Sequence, residues 1–214
     1  MRGATLSEEE VESLREGNPL MEGVISYVFT KAAAIAQRQD VVHFLDPVVA
    51  HAMYAFDDAS LGALDEMCRM LVVALPIAEY KGDAYDGVHW SLIILKRRSA
   101  DVPFEAFRLD SLCDVNATRC LSFLRLLRSC STCRNHIPQS STIMDFPSQT
   151  NNVDCGCFVS MAALHVAEVV KKWNGGGGGG AARTIFDEQL EFPHQFDASR
   201  FRRTLLNEIL QERL

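Results

Sequence analysis

The chain has 214 residues, of which 48% are hydrophobic and 23% are charged, and these proportions are typical of one globular domain with a sizeable core. A net charge of −7 argues against a nucleic-acid partner, because binding nucleic acid needs a basic face. No apolar stretch approaches the roughly 20 residues of a membrane span, so no membrane partner is expected. The acidic N-terminus shows no secretory signal; we therefore expect reduced thiols and a cytoplasmic or nuclear protein.

The first third of the chain predicts four helices and one strand. Ser7 and Glu10 have the spacing of a capping box, which marks the start of a helix. Pro19 and Pro47 each suit the first turn of a helix, where the N–H that proline lacks would have no partner. The segment VVHFLD is rich in β-branched and apolar residues and predicts a strand. The predicted helices begin at residue 7, begin near residue 18, and span 47–55 and 59–69, and the strand spans 41–46.

Three apolar segments in the middle of the chain predict strands. LVVALPIAEY at 71–80 predicts a buried strand that ends at Pro76, because proline cannot donate a hydrogen bond to a neighbouring strand. The polar segment KGDAYDG predicts a loop that leads to His89, and SLIIL after it predicts the second strand. FEAFRLD predicts the third strand, next to the second. A helix over 115–127 and a short strand over 142–146 follow.

The segment QTNNVDCGCFVSMAALHVAEVVKKW, residues 149–173, predicts a helix with a thiol in its first turn. Its polar start is followed by an apolar run that begins at Cys155 and is too long for one strand. A thiol there lies near the positive pole of the helix dipole, which favours the thiolate. The side chains expected to cap this helix are Asn151, Asn152 and Asp154. Cys155 is therefore a candidate nucleophile, although most cysteines at helix starts are inert packing residues.

The last part of the chain predicts a loop and a final helix. Six consecutive glycines, at 175–180, predict a flexible loop within one domain of residues 1–214. Asp197 is expected to cap a helix that runs to near Gln211. The mixture of strands and helices contains no internal repeat.

Three polar residues upstream of Cys155 are of the types that a thiol nucleophile needs. A thiolate attacks a peptide carbonyl efficiently only with a base and with donors for the oxyanion. His89 has the intrinsic pKa of such a base, and Asp110 is suited to hold its imidazole. Gln149 carries an amide that is suited to donate to the oxyanion. Each of the three, taken singly, is more often an ordinary structural residue.

The ordered set His89-Trp90, Asp110, Gln149 and Asp154-Cys155-Gly156 resembles the ubiquitin-like-protein proteases, the cysteine peptidase family related to the adenovirus protease. The resemblance covers roughly residues 18–172 and implies an α+β, papain-like fold with a mixed central sheet flanked by helices. It implies that Cys155 is the nucleophile and His89 its base. Asp110 would then orient the imidazole, and Gln149 would donate to the oxyanion. No metal and no other cofactor is implied.

The resemblance also implies three substrate-binding residues. Trp90 is either a core aromatic residue or, as the resemblance implies, part of the lining of the channel for the Gly-Gly tail of the substrate. Glu22 stands where the family has an aspartate. Gly156 leaves room for another chain to come close. The family's tryptophan that covers the channel is replaced by Pro19 in this chain.

The activity implied is that of a cysteine isopeptidase or endopeptidase that cleaves after the C-terminal Gly-Gly of a ubiquitin-like modifier or its conjugates. The neddylation modifier is the first candidate, since FLDPVVAHAM, VVALPIAEY, GVHWSLIIL and NNVDCGCFV follow at spacings similar to the deneddylase branch, and SUMO is the second. A non-catalytic module that binds the modifier is an alternative, favoured by Pro19. A thiol acyltransferase is another, although related bacterial effectors carry Glu where this chain has Asp110.

Two further cysteine patterns need an interpretation. Cys157 competes with Cys155, but two residues turn a helix by roughly 200°, so only one of the two thiols can face His89. The family pattern selects Cys155 and leaves Cys157 for the core. Cys130-x-x-Cys133-x-x-His136 offers three zinc ligands of the four required, without a properly spaced second half-site, so loop thiols are favoured over zinc.

Overall fold

A mixed sheet of five strands lies at the centre of the protein, for which the computed structural model describes residues 6–79, 89–173 and 190–213. The strands lie in the order β1-β2-β3-β4-β5. The outer pairs, β1 with β2 and β4 with β5, are parallel, and the inner pairs are antiparallel. The strands are β1 (Val42–Phe44), β2 (Val72–Glu79), β3 (His89–Lys96), β4 (Glu105–Leu109) and β5 (Thr142–Ile143).

Helices cover both faces of the sheet. One layer is made by α2 and α6, with α7 packed behind α6, and the other is made by α3, α4 and α5. The helices are α1 (Glu8–Glu12), α2 (Glu22–Ala36), α3 (Pro47–Ala55), α4 (Leu64–Met67), α5 (Ala117–Ser129), α6 (Cys155–Lys172) and α7 (Ala198–Glu212), with a 3-10 turn at Ala59–Leu61. This confirms the predicted α+β class. Among the residues described, none of these helices has the length and apolarity of a membrane span.

The central strand β3 is buried along its whole length. Leu92 and Ile94 belong to the core under α2 and α6, whereas Ile93 and Leu95 belong to the core under α3, α4 and α5. A strand buried on both faces needs a continuous apolar run, as SLIIL provides. Its first residue, His89, is therefore held on a rigid element.

Most of the predicted helix starts are confirmed. Ser7 and Glu10 form a complete capping box. Asp46 accepts a hydrogen bond from the Val48 N–H at the start of α3, and Asp197 caps α7. The first turn of α6 begins at Cys155, as predicted.

The second predicted helix starts later than expected. It begins at Glu22 rather than near Pro19, because Met21 is still extended and its N–H donates to the Ser13 hydroxyl. The helix predicted over 115–127 is similarly displaced, to Ala117–Ser129. Cys113 and Asp114, directly before the predicted start, adopt left-handed backbone angles, with φ of +55° and +66°, and belong to the turn that precedes this helix.

Two other predicted boundaries were wrong. The predicted helix at 59–69 is divided at Gly62 and Ala63, because neither residue has helical backbone angles and Ala63 has a positive φ of +28°. Strand β2 does not end at Pro76 but continues to Glu79. β1 pairs only with residues 72–74 of β2, so in the described sheet no strand needs an N–H from Pro76 on that side.

Two predicted loops, KGDAYDG at 81–87 and the glycine run at 175–180, lie outside the described residues. The last predicted strand is shortened from 142–146 to the two residues of β5.

A disulfide between Cys68 and Cys133 joins the end of α4 to the segment after α5. Their Cα atoms lie 6.2 Å apart, within the usual range for a disulfide. The expectations that the thiols are all reduced and that Cys133 is a loop thiol are therefore wrong for this pair. His136 of the same motif lies 3.3 Å from the Arg97 guanidinium through its Nδ1. No group of three or more potential metal ligands occurs among the described side chains.

We predict that Cys68→Ser lowers the free energy of unfolding by about 4 kcal/mol. The bond spans 65 residues, and closing a loop of that length removes entropy from the unfolded chain. Denaturant unfolding of the native protein with and without reductant should show the same difference, while Cys68→Ser should not respond to reductant. An equal stability of the native protein under both conditions would contradict the bond.

Candidate active site

His89 and Asp110 meet at one end of the central strands. His89 is the first residue of β3, and Asp110 directly follows β4. Because Leu92 pairs with Leu109 in the antiparallel register, both residues come to the same end of the sheet. His89 Nε2 lies 2.7 Å from Asp110 Oδ1, and the side chains are only 8% and 5% exposed. The pair is therefore a short, nearly buried hydrogen bond.

The Asp110 carboxylate accepts four hydrogen bonds. Besides His89 Nε2, the donors are the Leu112 N–H at 2.8 Å, the Ser91 hydroxyl at 3.1 Å and the Asn116 N–H at 3.1 Å. Burial by itself would raise the pKa of Asp110, but the hydrogen bonds from His89, Leu112 and Asn116 hold this pKa below its ordinary value. Asp110 therefore stays ionised and keeps one orientation.

Two residues of this network, Ser91 and Asn116, were not found from the sequence. Asn116 Nδ2 donates to the His89 carbonyl at 2.9 Å and to Ser91 Oγ at 2.8 Å. Ser91 had a signal, since it is polar in an apolar run and shares a strand face with His89. Asn116 had none, because its position depends on the left-handed backbone at Cys113 and Asp114.

Cys155 lies close to the imidazole of His89. Helix α6 packs on β3, which brings its first residue to the His89 end of the strand. His89 Nδ1, the nitrogen that Asp110 does not use, is buried. Cys155 is close enough to influence the imidazole through hydrogen bonding and charge. The fold thus brings the three side chains together, and their catalytic roles stay a prediction.

His89 is protonated at neutral pH. Burial alone lowers the pKa of an imidazole, but hydrogen bonds with Asp110 and Cys155, together with their negative charges, raise the pKa of His89 to about 9. An imidazolium beside a thiol favours the thiolate, which is the nucleophilic form of cysteine.

Cys157 is a neutral thiol in the core beside Asp154. It is completely buried, and its Sγ lies 3.9 Å from Asp154 Oδ1. Burial raises the pKa of Cys157 to about 12, so this residue stays a neutral thiol. Its place in the core agrees with the expectation from the helical spacing.

Gln149 is fixed at both ends of its amide. Its Oε1 accepts from the Ser111 hydroxyl at 2.6 Å, and its Nε2 donates to the Asn151 carbonyl at 2.5 Å. The backbone N–H of Gln149 also donates to the Ser111 carbonyl at 3.0 Å. An amide nitrogen carries two hydrogens, so Nε2 has a second hydrogen for another acceptor.

Asp154 does not cap α6, contrary to expectation. It occupies the N-cap position, but its side chain makes no capping hydrogen bond. Its Oδ1 accepts instead from Arg202, and its Oδ2 accepts from Asn151 Nδ2 at 2.7 Å. Asn151 is the residue that holds backbone N–H groups here, those of Val153 and Asp154, each at 3.0 Å.

The three expected substrate-binding residues occupy different environments. Glu22 begins α2 and lies 3.7 Å from His51 Nδ1. Trp90 is 4% exposed and belongs to the core beside His89. A Cβ on Gly156 would lie 2.9 Å from Leu20 Cβ, so the chain that comes close to this glycine is the protein's own. Substrate contact by these three residues stays a prediction.

Comparison with known proteins agrees with this geometry. The sequence model described as "Ulp1 protease family, C-terminal catalytic domain" matches residues 59–175, more than half of the chain. No curated protein matches the chain by sequence.

Solved structures share the fold at low sequence identity. A de-sumoylating protease has a TM-score of 0.65 at 13% identity, with 97% of this chain and 87% of that chain covered. The Ulp1 protease domain in complex with Smt3, the yeast ortholog of SUMO, has a TM-score of 0.56 at 17% identity, with 96% and 82% covered. The Xanthomonas campestris effector XopD bound to ubiquitin has a TM-score of 0.54 at 19% identity, with 92% of each chain covered. These structures support the predicted papain-like α+β fold.

We predict that the His89 ring titrates with a midpoint near pH 9, which NMR of its ring protons can measure. A pKa above the ordinary 6.5 means that folding stabilises the imidazolium; this contribution to stability is complete below pH 6.5 and is lost as the pH rises through about 9. Asp110→Asn should move the midpoint downward. Asp145→Asn, which changes an exposed carboxylate, is the control and should leave it in place. An unchanged midpoint in Asp110→Asn would contradict the role of the pair.

Proposed function

The chain belongs to the Ulp1 protease family, and we propose that it is a cysteine isopeptidase that cleaves after the C-terminal Gly-Gly of a ubiquitin-like modifier. The observation that carries this proposal is the buried His89–Asp110 pair, 2.7 Å apart, coupled to Cys155 at the start of α6. The proposed catalytic residues are His89, Asp110, Gln149 and Cys155.

The reaction begins with attack by the Cys155 thiolate on the carbonyl carbon of the terminal glycine. A C–S bond forms, and the carbonyl oxygen becomes an oxyanion that accepts hydrogen bonds from the Gln149 amide and from backbone N–H groups at the start of α6. As the C–N bond breaks, the His89 imidazolium gives its proton to the departing lysine amine. Asp110 remains ionised and keeps the ring in place.

A water molecule completes the reaction. His89, now neutral, takes a proton from the water, whose oxygen attacks the thioester carbonyl. The C–S bond breaks, and the modifier leaves with a free terminal carboxyl group, which releases its remaining proton to solvent. The thiolate of Cys155 and the imidazolium of His89 are thereby restored, without a cofactor.

The neddylation modifier is our first candidate for the substrate, and SUMO is the second. The spacing of FLDPVVAHAM, VVALPIAEY, GVHWSLIIL and NNVDCGCFV supports the first candidate. The net charge of −7 favours a modifier with a basic face or tail. One structural relative is bound to a SUMO ortholog and another to ubiquitin. A test of the substrate should therefore include SUMO and ubiquitin beside the neddylation modifier.

We predict that a modifier carrying an electrophile at its C-terminal Gly-Gly forms a covalent adduct with Cys155. Probes built on the neddylation modifier, SUMO and ubiquitin should be compared side by side by rate of labelling. Cys155→Ala should abolish labelling and hydrolysis, and Cys157→Ala should retain both, because Cys157 is a buried neutral thiol. Mapping of the adduct to Cys157 or Cys113, or no labelling by any probe, would contradict the proposal.

We predict further that the protein depends on docking of the whole modifier. Pro19 is exposed where the family has a covering tryptophan, so the substrate tail should be held less rigidly. Errors of about an ångström in positioning can lower a rate by roughly a hundredfold. Pro19→Trp should therefore increase cleavage of a short Gly-Gly fluorogenic peptide more than cleavage of the full modifier. Equal effects on the two substrates would show that another residue covers the tail. Binding of a modifier without any turnover would instead favour a non-catalytic module.

A further inference from the structure

A buried arginine of the C-terminal helix holds the loop that precedes Cys155. Arg202, on α7, is 1% exposed. Its Nε and Nη2 donate to Asp154 Oδ1 at 3.1 and 2.8 Å, and Nη2 also donates to the Val153 carbonyl at 3.2 Å. Its Nη1 donates to the carbonyls of Ser13 and Arg15 at 2.9 and 3.3 Å. One guanidinium thus joins three segments that are far apart in the sequence.

The contacts of Arg202 continue to Gln149 through two residues. Asp154 Oδ2 accepts from Asn151 Nδ2, and the Asn151 carbonyl accepts from Gln149 Nε2. Asn151 Oδ1 meanwhile holds the N–H groups of Val153 and Asp154. We call the set Arg202, Asp154 and Asn151 the loop brace. The brace ends on the amide nitrogen that is proposed to bind the oxyanion.

We propose that Arg202 is a positioning residue: through Asp154 and Asn151 it holds the Gln149 amide in the geometry that the oxyanion requires. This inference rests on the proposed function. Arg202 lies outside residues 59–175, the part of the chain that matches the family, and no local pattern in the sequence indicates its role. The reaction therefore depends on the C-terminal helix, although no residue of that helix is proposed to touch the substrate.

Arginine is the side chain that this position requires. Its planar fork donates in several fixed directions at once, whereas a lysine ammonium is a point charge on a flexible stem. Arg202 uses Nε and both Nη atoms, for one carboxylate and three carbonyls. Arg202→Lys should keep the charge opposite Asp154 but lose most of these contacts.

The chain offers a matched control in Arg97, which is also completely buried. Arg97 donates to the Met70 carbonyl at 2.7 Å and to the Ala100 carbonyl at 2.9 Å. It follows the last residue of β3, whereas His89 is the first, so it lies at the opposite end of that strand. Arg97→Met should lower the melting temperature without acting on the catalytic loop.

The first test is a double-mutant cycle between Arg202 and Gln149. The substrate is the aminocoumarin derivative of whichever modifier labels Cys155, measured below the lowest melting temperature of the set. Gln149→Ala should lower kcat by about 100-fold, as loss of one oxyanion donor does. Arg202→Met should lower kcat by a similar factor, with KM changed by less than about threefold. The kcat of Arg202→Lys should lie between those of Arg202→Met and the wild type.

The combination of variants decides between positioning and general stability. Arg202→Met combined with Gln149→Ala should be no slower than Gln149→Ala alone, because both remove the same interaction. Arg97→Met combined with Gln149→Ala should show independent effects. Effects of Arg202 and Gln149 that multiply would overturn the proposal. If Arg202→Met does not fold, Asn151→Ala replaces it, since Asn151 is exposed and its loss leaves no buried charge.

A second measurement needs no substrate. The backbone N–H groups of Val153 and Asp154 should exchange with deuterium at least tenfold faster in Arg202→Met than in Arg97→Met at equal temperature. Unchanged exchange in Arg202→Met, or in Asn151→Ala where that variant replaces it, would overturn the loop brace even if the protein cleaved no modifier. Faster exchange with no turnover by the wild type would support the brace and count against the proposed function alone.

Discussion

The antiparallel register of β3 and β4 is the constraint on which the site depends. Because β3 is buried on both faces, its two cores oppose any slip of the strand, and a slip of one residue would turn every side chain to the other face. The same register carries His89 and Asp110 to one end of the sheet. The rigidity of the fold and the distance between base and orienter thus have one cause.

Burial raises the desolvation cost of the polar groups at this end of the sheet, and it also strengthens the hydrogen bonds between them. An ionised carboxylate in the interior needs several donors, and Asp110 has four. One of those donors, the Asn116 N–H, directly follows the left-handed turn at Cys113 and Asp114. Arg108 holds that turn through two hydrogen bonds to the Asp114 carboxylate, at 2.9 and 2.7 Å. A locally unfavourable backbone is therefore kept where it serves the site.

The two ends of the described chain contact each other through α7. Ser13 donates to the Glu10 carbonyl, accepts from the Met21 N–H, and offers its own carbonyl to Arg202. Further along α7, Glu208 pairs with Lys31 of α2, and Arg213 donates to the Leu6 carbonyl. The helix that follows the family-matched segment is thereby part of the same packed unit as the helix that carries Cys155.

The sequence by itself determined the features that arise from neighbouring residues. These are the capping box at Ser7, the caps at Asp46 and Asp197, the apolar runs of β3 and α6, and the order of the four candidate catalytic residues. A cap or a helical face acts within about four residues, so a pattern of letters is enough to reveal it.

Only the tertiary structure decided which distant groups complete the site. The disulfide joins residues 65 positions apart, and Arg202 reaches Asp154 across 48 positions. Whether Pro76 ends a strand depended on the length of β1, and whether Asp154 capped α6 depended on Arg202, which claims its carboxylate. Such contacts exist only after separate elements have packed, because their energy comes from burial and geometry that no local pattern encodes.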